Sequence, residues 1–157
     1  MLNLIRVFKI MDKVKTLESI QNARRAHEAQ MTKIKAAIDG EKVDNPTAVA
    51  KTKCAFGQWL YDDENHLRDI LGSLFYDNME VLHARWHSEY LRVFEIFFKD
   101  QKKGFLSKIL GSSKISEMEL DRAKLYYSEL QATTQELLKA LGSSERRIGA
   151  LPESKFY

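Results

Sequence analysis

The sequence predicts an all-α fold, an antiparallel helical bundle of about four to five helices with a long N-terminal helix. Three observations predict it. Breakers are sparse, with two prolines and seven glycines in 157 residues. Residues 4–38 contain neither. Apolar residues recur at three- and four-residue steps, and no stretch alternates with the period of a strand.

In the first segment Leu4, Phe8, Met11, Val14, Leu17, Ile20, Ala23 and His27 keep helical spacing, and Met31, Ile34 and Ile38 continue it up to a stop at Gly40. A helix this long cannot bury its stripe alone; it needs partner helices or a second copy of itself. Asn45-Pro46 reads as an N-cap followed by a first helical residue, opening a short helix that carries Cys54 to Tyr61. Gly57 inside that helix predicts a kink or a close backbone approach. Residues 62–65 are a polar break, and 66–71 form another short helix ending at Gly72. Over 73–99 the face Phe75, Met79, Leu82, His83, Trp86, His87, Tyr90, Phe94 and Phe97 predicts a long helix with both histidines in its core-facing stripe. Residues 101–111 read as a basic connector. Ser116 and Glu119 have the spacing of a capping box and open a last helix to about Leu141, with a stripe of Leu120, Ala123, Tyr127, Leu130, Leu137 and Leu141. From Gly142 onward the chain reads as a loose, flexible tail. The expected organisation is a helical bundle over 1–100 and a C-terminal extension over 101–157, the latter a basic connector, a C-terminal helix and the flexible tail.

Composition narrows the function classes. With 44% apolar and 30% charged residues the chain is an ordinary soluble globular sequence, long enough to build a core without a metal. The net charge of +3 comes from bases interleaved with acids, which argues against a nucleic-acid partner. One cysteine makes no internal disulfide and fits a reducing compartment. Residues 1–10 are apolar but interrupted by Arg6 and Lys9, unlike a signal peptide, and no run is long enough to insert in a membrane, so a cytoplasmic protein is expected.

The chemistry-bearing residues are few. His83 and His87 are four apart on a helix and project from one face, a spacing that lets two imidazoles grip one metal ion. Ala84 stands where a metalloprotease helix carries its glutamate, and no Cys-x-x-Cys-His haem motif is present. Too few histidines and carboxylates stand at helical spacing for a di-iron centre. His27 alone would more often be a satisfied core histidine, and Cys54 alone a small buried hydrophobe. Together, three of the four histidines and the sole cysteine fall on three segments that a bundle packs side by side. Three imidazoles and one thiolate suit tetrahedral Zn2+, and four protein ligands leave no open position for a substrate. The site is then structural or sensory, and the chain is not expected to be an enzyme. His66 is the substitute ligand to consider, Glu28, Asp62 and Asp63 are nearby carboxylates, and Trp59 and Trp86 are expected in the walls.

The pattern resembles the chemoreceptor zinc-binding (CZB) domain family over about residues 17–99. A histidine on a first helix (His27) precedes Cys54-Ala-Phe56-Gly57-Gln-Trp59, and His83-Ala-Arg-Trp-His87 follows on a later helix. The spacings, 27 residues from His27 to Cys54 and 29 from Cys54 to His83, are close to those of the family. Gln30 stands where the family usually has an aromatic or large aliphatic residue. The resemblance implies a dimerising bundle with zinc held by His27, Cys54, His83 and His87. It implies a regulatory role toward chemotaxis or cyclic-di-GMP machinery, in response to zinc or to oxidants such as hypochlorous acid. Cys54 would be the redox-reactive ligand, with Phe56, Gly57 and Trp59 supporting the motif. Residues 101–157 contain no recognisable output domain, which reads as a stand-alone member. The rival expectation is an adaptor bundle stiffened by an inert zinc site.

Overall fold

Among the described residues, three long helices and two short ones make the fold: α1 (Leu2–Ile38), α2 (Ala55–Leu60), α3 (Leu67–Leu71), α4 (Ser73–Phe97) and α5 (Glu117–Ala150). The computed structural model describes residues 2–99 and 115–156, with side chains described from residue 13 onward. The expected connector over 101–111, and the Leu4, Phe8 and Met11 part of the first stripe, lie outside what is described. No strand occurs among the described residues, as the sequence predicts.

Helix α5 is the common partner of α1 and α4. It runs antiparallel to both. Arg92 pairs with Glu129 and Arg85 with Glu136, while Gln21 bonds Glu145 and Lys13 reaches Gly149. Helices α1 and α4 therefore run parallel, which sets His27 beside His83 and His87. The surface ion pairs contribute little energy. Burial of one continuous core does most of the holding, through Ile20, Ile34, Leu71, Met79, Trp86, Val93, Leu130, Leu137, Leu141 and Ile148. On α1 the buried stripe is Thr16, Ile20, Ala23, His27, Gln30, Met31 and Ile34. Val14, expected in that stripe, is 41% exposed.

Two segments differ from the sequence expectation. Residues 41–54 form an irregular strap, with no helix starting at Pro46. Asn45 takes a left-handed conformation (φ 54°), and helix begins only at Ala55 with Cys54 as its N-cap. Around Asn45 and Thr47 the strap's polar backbone groups go to side chains of α1 and α4, so the chain gains nothing by coiling there. At the other end, α5 does not stop near Leu141, and the tail is not loose. Gly142 is a mid-helix glycine packed toward α1, with the Arg24 guanidinium 3.0 Å from where a Cβ would sit. Beyond it Ser144, Ile148 and Phe156 are buried. The Lys13 ammonium donates to the carbonyls of Gly149 and Leu151 at 3.1 and 2.8 Å, satisfying groups that a helix end leaves free. The capping box forms as read: Ser116 accepts from the Glu119 N–H, and the Glu119 carboxylate accepts from the Ser116 N–H.

Candidate metal centre

Four side chains from α1, α4 and the start of α2 meet in the core. His27 is 4% exposed, His83 0%, His87 4% and Cys54 7%. One ring nitrogen from each histidine lies within 4.8 Å of those of the other two. The Cys54 Sγ joins the group through His83, 3.4 Å from its Nε2. Bonds of about 2.0–2.1 Å to nitrogen and 2.3 Å to sulfur give a tetrahedral site edges of roughly 3.3–3.6 Å. The Cys54–His83 separation already matches such an edge, and the three histidines would need to draw together by at most about 1.5 Å.

Each histidine is oriented differently. The His27 Nδ1 donates to the Ala23 carbonyl one turn back, at 2.6 Å. The His87 Nδ1 donates to the Val49 carbonyl of the strap, at 2.8 Å. A carbonyl only accepts, so both rings carry hydrogen on Nδ1 and a lone pair on Nε2. Such a bond on the far nitrogen fixes tautomer and orientation in ligating histidines. The His87 Nε2 is buried without a partner, and so is the His83 Nδ1. An orphaned buried nitrogen is costly unless something absent from the polypeptide takes it up, and a cation would do so for the His87 Nε2. A borderline-soft cation suits this donor set.

Electrostatics agrees. Burial pushes the His27 ring down to about 4 and the His83 ring down to about 2, with the neighbouring histidines adding to both. Burial, opposed by the Val49 carbonyl, also lowers His87. All three are neutral lone-pair donors near neutral pH. Burial pushes the Cys54 thiol up, against the pull of the Gly57 N–H, which donates to Sγ at 3.2 Å. Without a cation beside it, this thiol keeps its proton.

The supporting motif residues take definite places. Phe56 is buried edge-on to His83 and His27, with centroids 4.9 and 6.0 Å away. Trp59 packs against Phe56 from a half-buried position. Trp86 is fully buried, edge-on to His27 at 4.6 Å, and its indole N–H donates to the Thr134 hydroxyl at 2.9 Å. Gly57 shows the close approach read from the sequence, at the carbonyl of Lys51. His66 is exposed, at the N-cap of α3, and takes no part. Glu28, Asp62 and Asp63 are exposed as well. The groups that orient the histidines are the carbonyls of Ala23 and Val49. Sequence reasoning also missed the roles of Gln30, Tyr90, Lys51, Tyr61 and Glu80, which hold the strap and the Cys54 turn. The one available signal was Gln30, an amide on an apolar stripe three residues after His27.

No curated protein and no solved structure matches the chain. Residues 27–93, a little under half of the chain, match the family model of the chemoreceptor zinc-binding domain, a stretch that opens on His27 and takes in Cys54, His83 and His87, the four residues that form a possible zinc site.

Proposed function

We propose that His27, Cys54, His83 and His87 hold one Zn2+ and that the site is a sensor, in a cytoplasmic homodimer that signals to chemotaxis or cyclic-di-GMP machinery. The observation that carries the reading is the buried, partnerless Nε2 of His87, held in place by the Val49 carbonyl beside two more neutral histidines and a thiol. Bound zinc supplies one thing, a positive charge that keeps the sulfur as thiolate, the form that reacts with oxidants.

The protein's own residues do the rest. His27, His83 and His87 sit on long helices, with His27 and His87 also held by the carbonyls of Ala23 and Val49. Cys54 sits at the N-cap of a six-residue helix, beyond an irregular strap, and is the ligand freest to leave. With hypochlorous acid, the thiolate sulfur gives up two electrons and gains hydroxyl, chlorine leaving as chloride, so Cys54 becomes a sulfenic acid. That sulfur is a weaker donor. Its departure frees the segment around residues 50–60 to change shape, which is the local event a partner would read.

One observation favours the rival reading, an inert zinc that only stiffens an adaptor bundle: the sulfur is shielded, with Cys54 7% exposed. The sensor reading therefore requires the 50–60 segment to open. The test is metal analysis of the full chain beside Cys54→Ala and His83→Ala, with hydrogen exchange of 50–60 before and after hypochlorite. The sensor reading expects one zinc per chain, loss of metal affinity in both variants, and faster exchange over 50–60 after one equivalent of oxidant. Zinc-loaded protein whose Cys54 resists oxidant leaves the inert reading. Protein that purifies metal-free and stays folded under chelator overturns both.

A further inference from the structure

Residue 47 lies in the irregular strap, yet both polar groups of its backbone are bound by side chains from two different helices. The Thr47 N–H donates to the Gln30 Oε1 of α1 at 2.9 Å. The Thr47 carbonyl accepts from the Tyr90 hydroxyl of α4 at 3.0 Å. Both clamping side chains are in the core, Gln30 at 2% exposure and Tyr90 at 0%. Two residues on, the Val49 carbonyl receives the His87 Nδ1–H. His27 takes its orienting carbonyl from its own helix, and the His83 Nδ1 has no partner. His87 is thus the one histidine whose orientation is set by a segment that would wander if it were not tied down.

We infer that Gln30 and Tyr90 are positioning residues for His87, clamping Thr47 between α1 and α4 so that the Val49 carbonyl fixes the imidazole with its Nε2 toward the metal site. The inference rests on the zinc-site reading for its consequence but not for its geometry. Burial of an amide at position 30 has a cost, since the Gln30 Nε2 has no partner. A leucine would fill the same space without that cost. The amide is accounted for by the strap it holds.

The test compares the full chain with Gln30→Leu, Tyr90→Phe and the double variant. Tyr90→Phe removes only a hydroxyl and leaves the ring stacked on Trp86, so it retains the fold. Zinc affinity is measured by competition with a chromogenic chelator. Loss of an orienting partner weakens metal binding by about 10- to 100-fold, and about tenfold is expected for each single variant. In parallel, imidazole 15N shifts of the metal-free protein read the tautomers. His87 should be the Nδ1–H form in the wild type and a mixture in the variants, while His27 stays unchanged. A merely structural role would not single out His87. Variants that bind zinc within twofold of wild type, or that keep the His87 tautomer, overturn the inference. A wild type that takes up no zinc overturns the site reading, and the tautomer measurement, which needs no metal, then decides the clamp alone.

Discussion

The carbonyl oxygen of Lys51 lies 1.6 Å from where a Cβ on Gly57 would be. The strap and α2 approach each other so closely that only glycine fits. The same approach packs the Cys54 sulfur, 3.3 Å from that imagined Cβ, into the turn, with the Gly57 N–H on it. Gly57→Ala must therefore move backbone, not a flexible side chain. The expected cost is at the upper end for single substitutions, about 3 kcal/mol, and Cys54 is displaced from His83. Urea unfolding with a thiol-accessibility assay checks this; an alanine variant of wild-type stability with a shielded thiol would contradict it.

A polar latch closes the same turn from outside. The Lys51 ammonium is 2.6 Å from the Glu80 carboxylate, which also accepts from the Tyr61 hydroxyl at 3.0 Å. Lys51, first, and then Tyr61 hold Glu80 below the usual carboxylate range, with burial opposing. The pair is partly solvated, with side chains 39% and 26% exposed, so its worth is that of a screened pair, about 1 kcal/mol or less. Glu80→Ala should leave global stability nearly unchanged but raise the local opening population around Cys54, speeding thiol alkylation of the metal-free protein roughly fivefold. Equal alkylation rates in the two proteins would show that the latch does not control access.

The buried histidines predict how the metal-free protein responds to acid. Burial lowers His27 to about 4 and His83 to about 2, while an unfolded histidine titrates near 6.5. The unfolded chain takes up protons first as pH falls. Stability from these groups is complete above about 6.5 and is lost as pH drops toward their folded values, by up to about 1.4 kcal/mol per pH unit for each histidine. Urea midpoints of metal-free protein between pH 7.5 and 4.5 should fall steeply below 6.5. His27→Phe should flatten the slope. A flat wild-type profile would mean that the rings are not buried neutral.

The site was legible in the sequence where side chains speak through helical period. His83 and His87 fall on the buried face of α4 because three- and four-residue spacing is a local property, and His27 does so on α1 for the same reason. The strap was not legible. Asn45-Pro46 carries a helix-start signal, but Thr47 is bound by Gln30, 17 positions away, and by Tyr90, 43 positions away, and these distant partners outweigh the local preference. Gly142 failed for the opposite reason. A glycine reads as a helix stop, yet here it sits mid-helix where α5 packs toward Arg24 of α1, and Ile148 and Phe156 beyond it are buried. Local punctuation reports backbone freedom; it does not report which helix will come to lie against it.

Metal removal gives the last expectation. Under the zinc-site reading, the bundle without zinc keeps its core of leucines, isoleucines and Trp86, so chelation should leave a folded, helical protein with a lower midpoint. A ligand that binds only the folded state stabilises it by about 2.7 kcal/mol at a hundredfold excess over Kd. For a chain of this size that is a rise of roughly 5–10 °C. Cys54→Ala retains the three imidazoles and should show a smaller rise, with a larger share of the loss falling on the 50–60 segment than on α1 or α4. Thermal melts with and without zinc, paired with hydrogen exchange, check both parts. An equal rise in the Cys54→Ala protein would remove the sulfur from the ligand set and leave a site of three histidines.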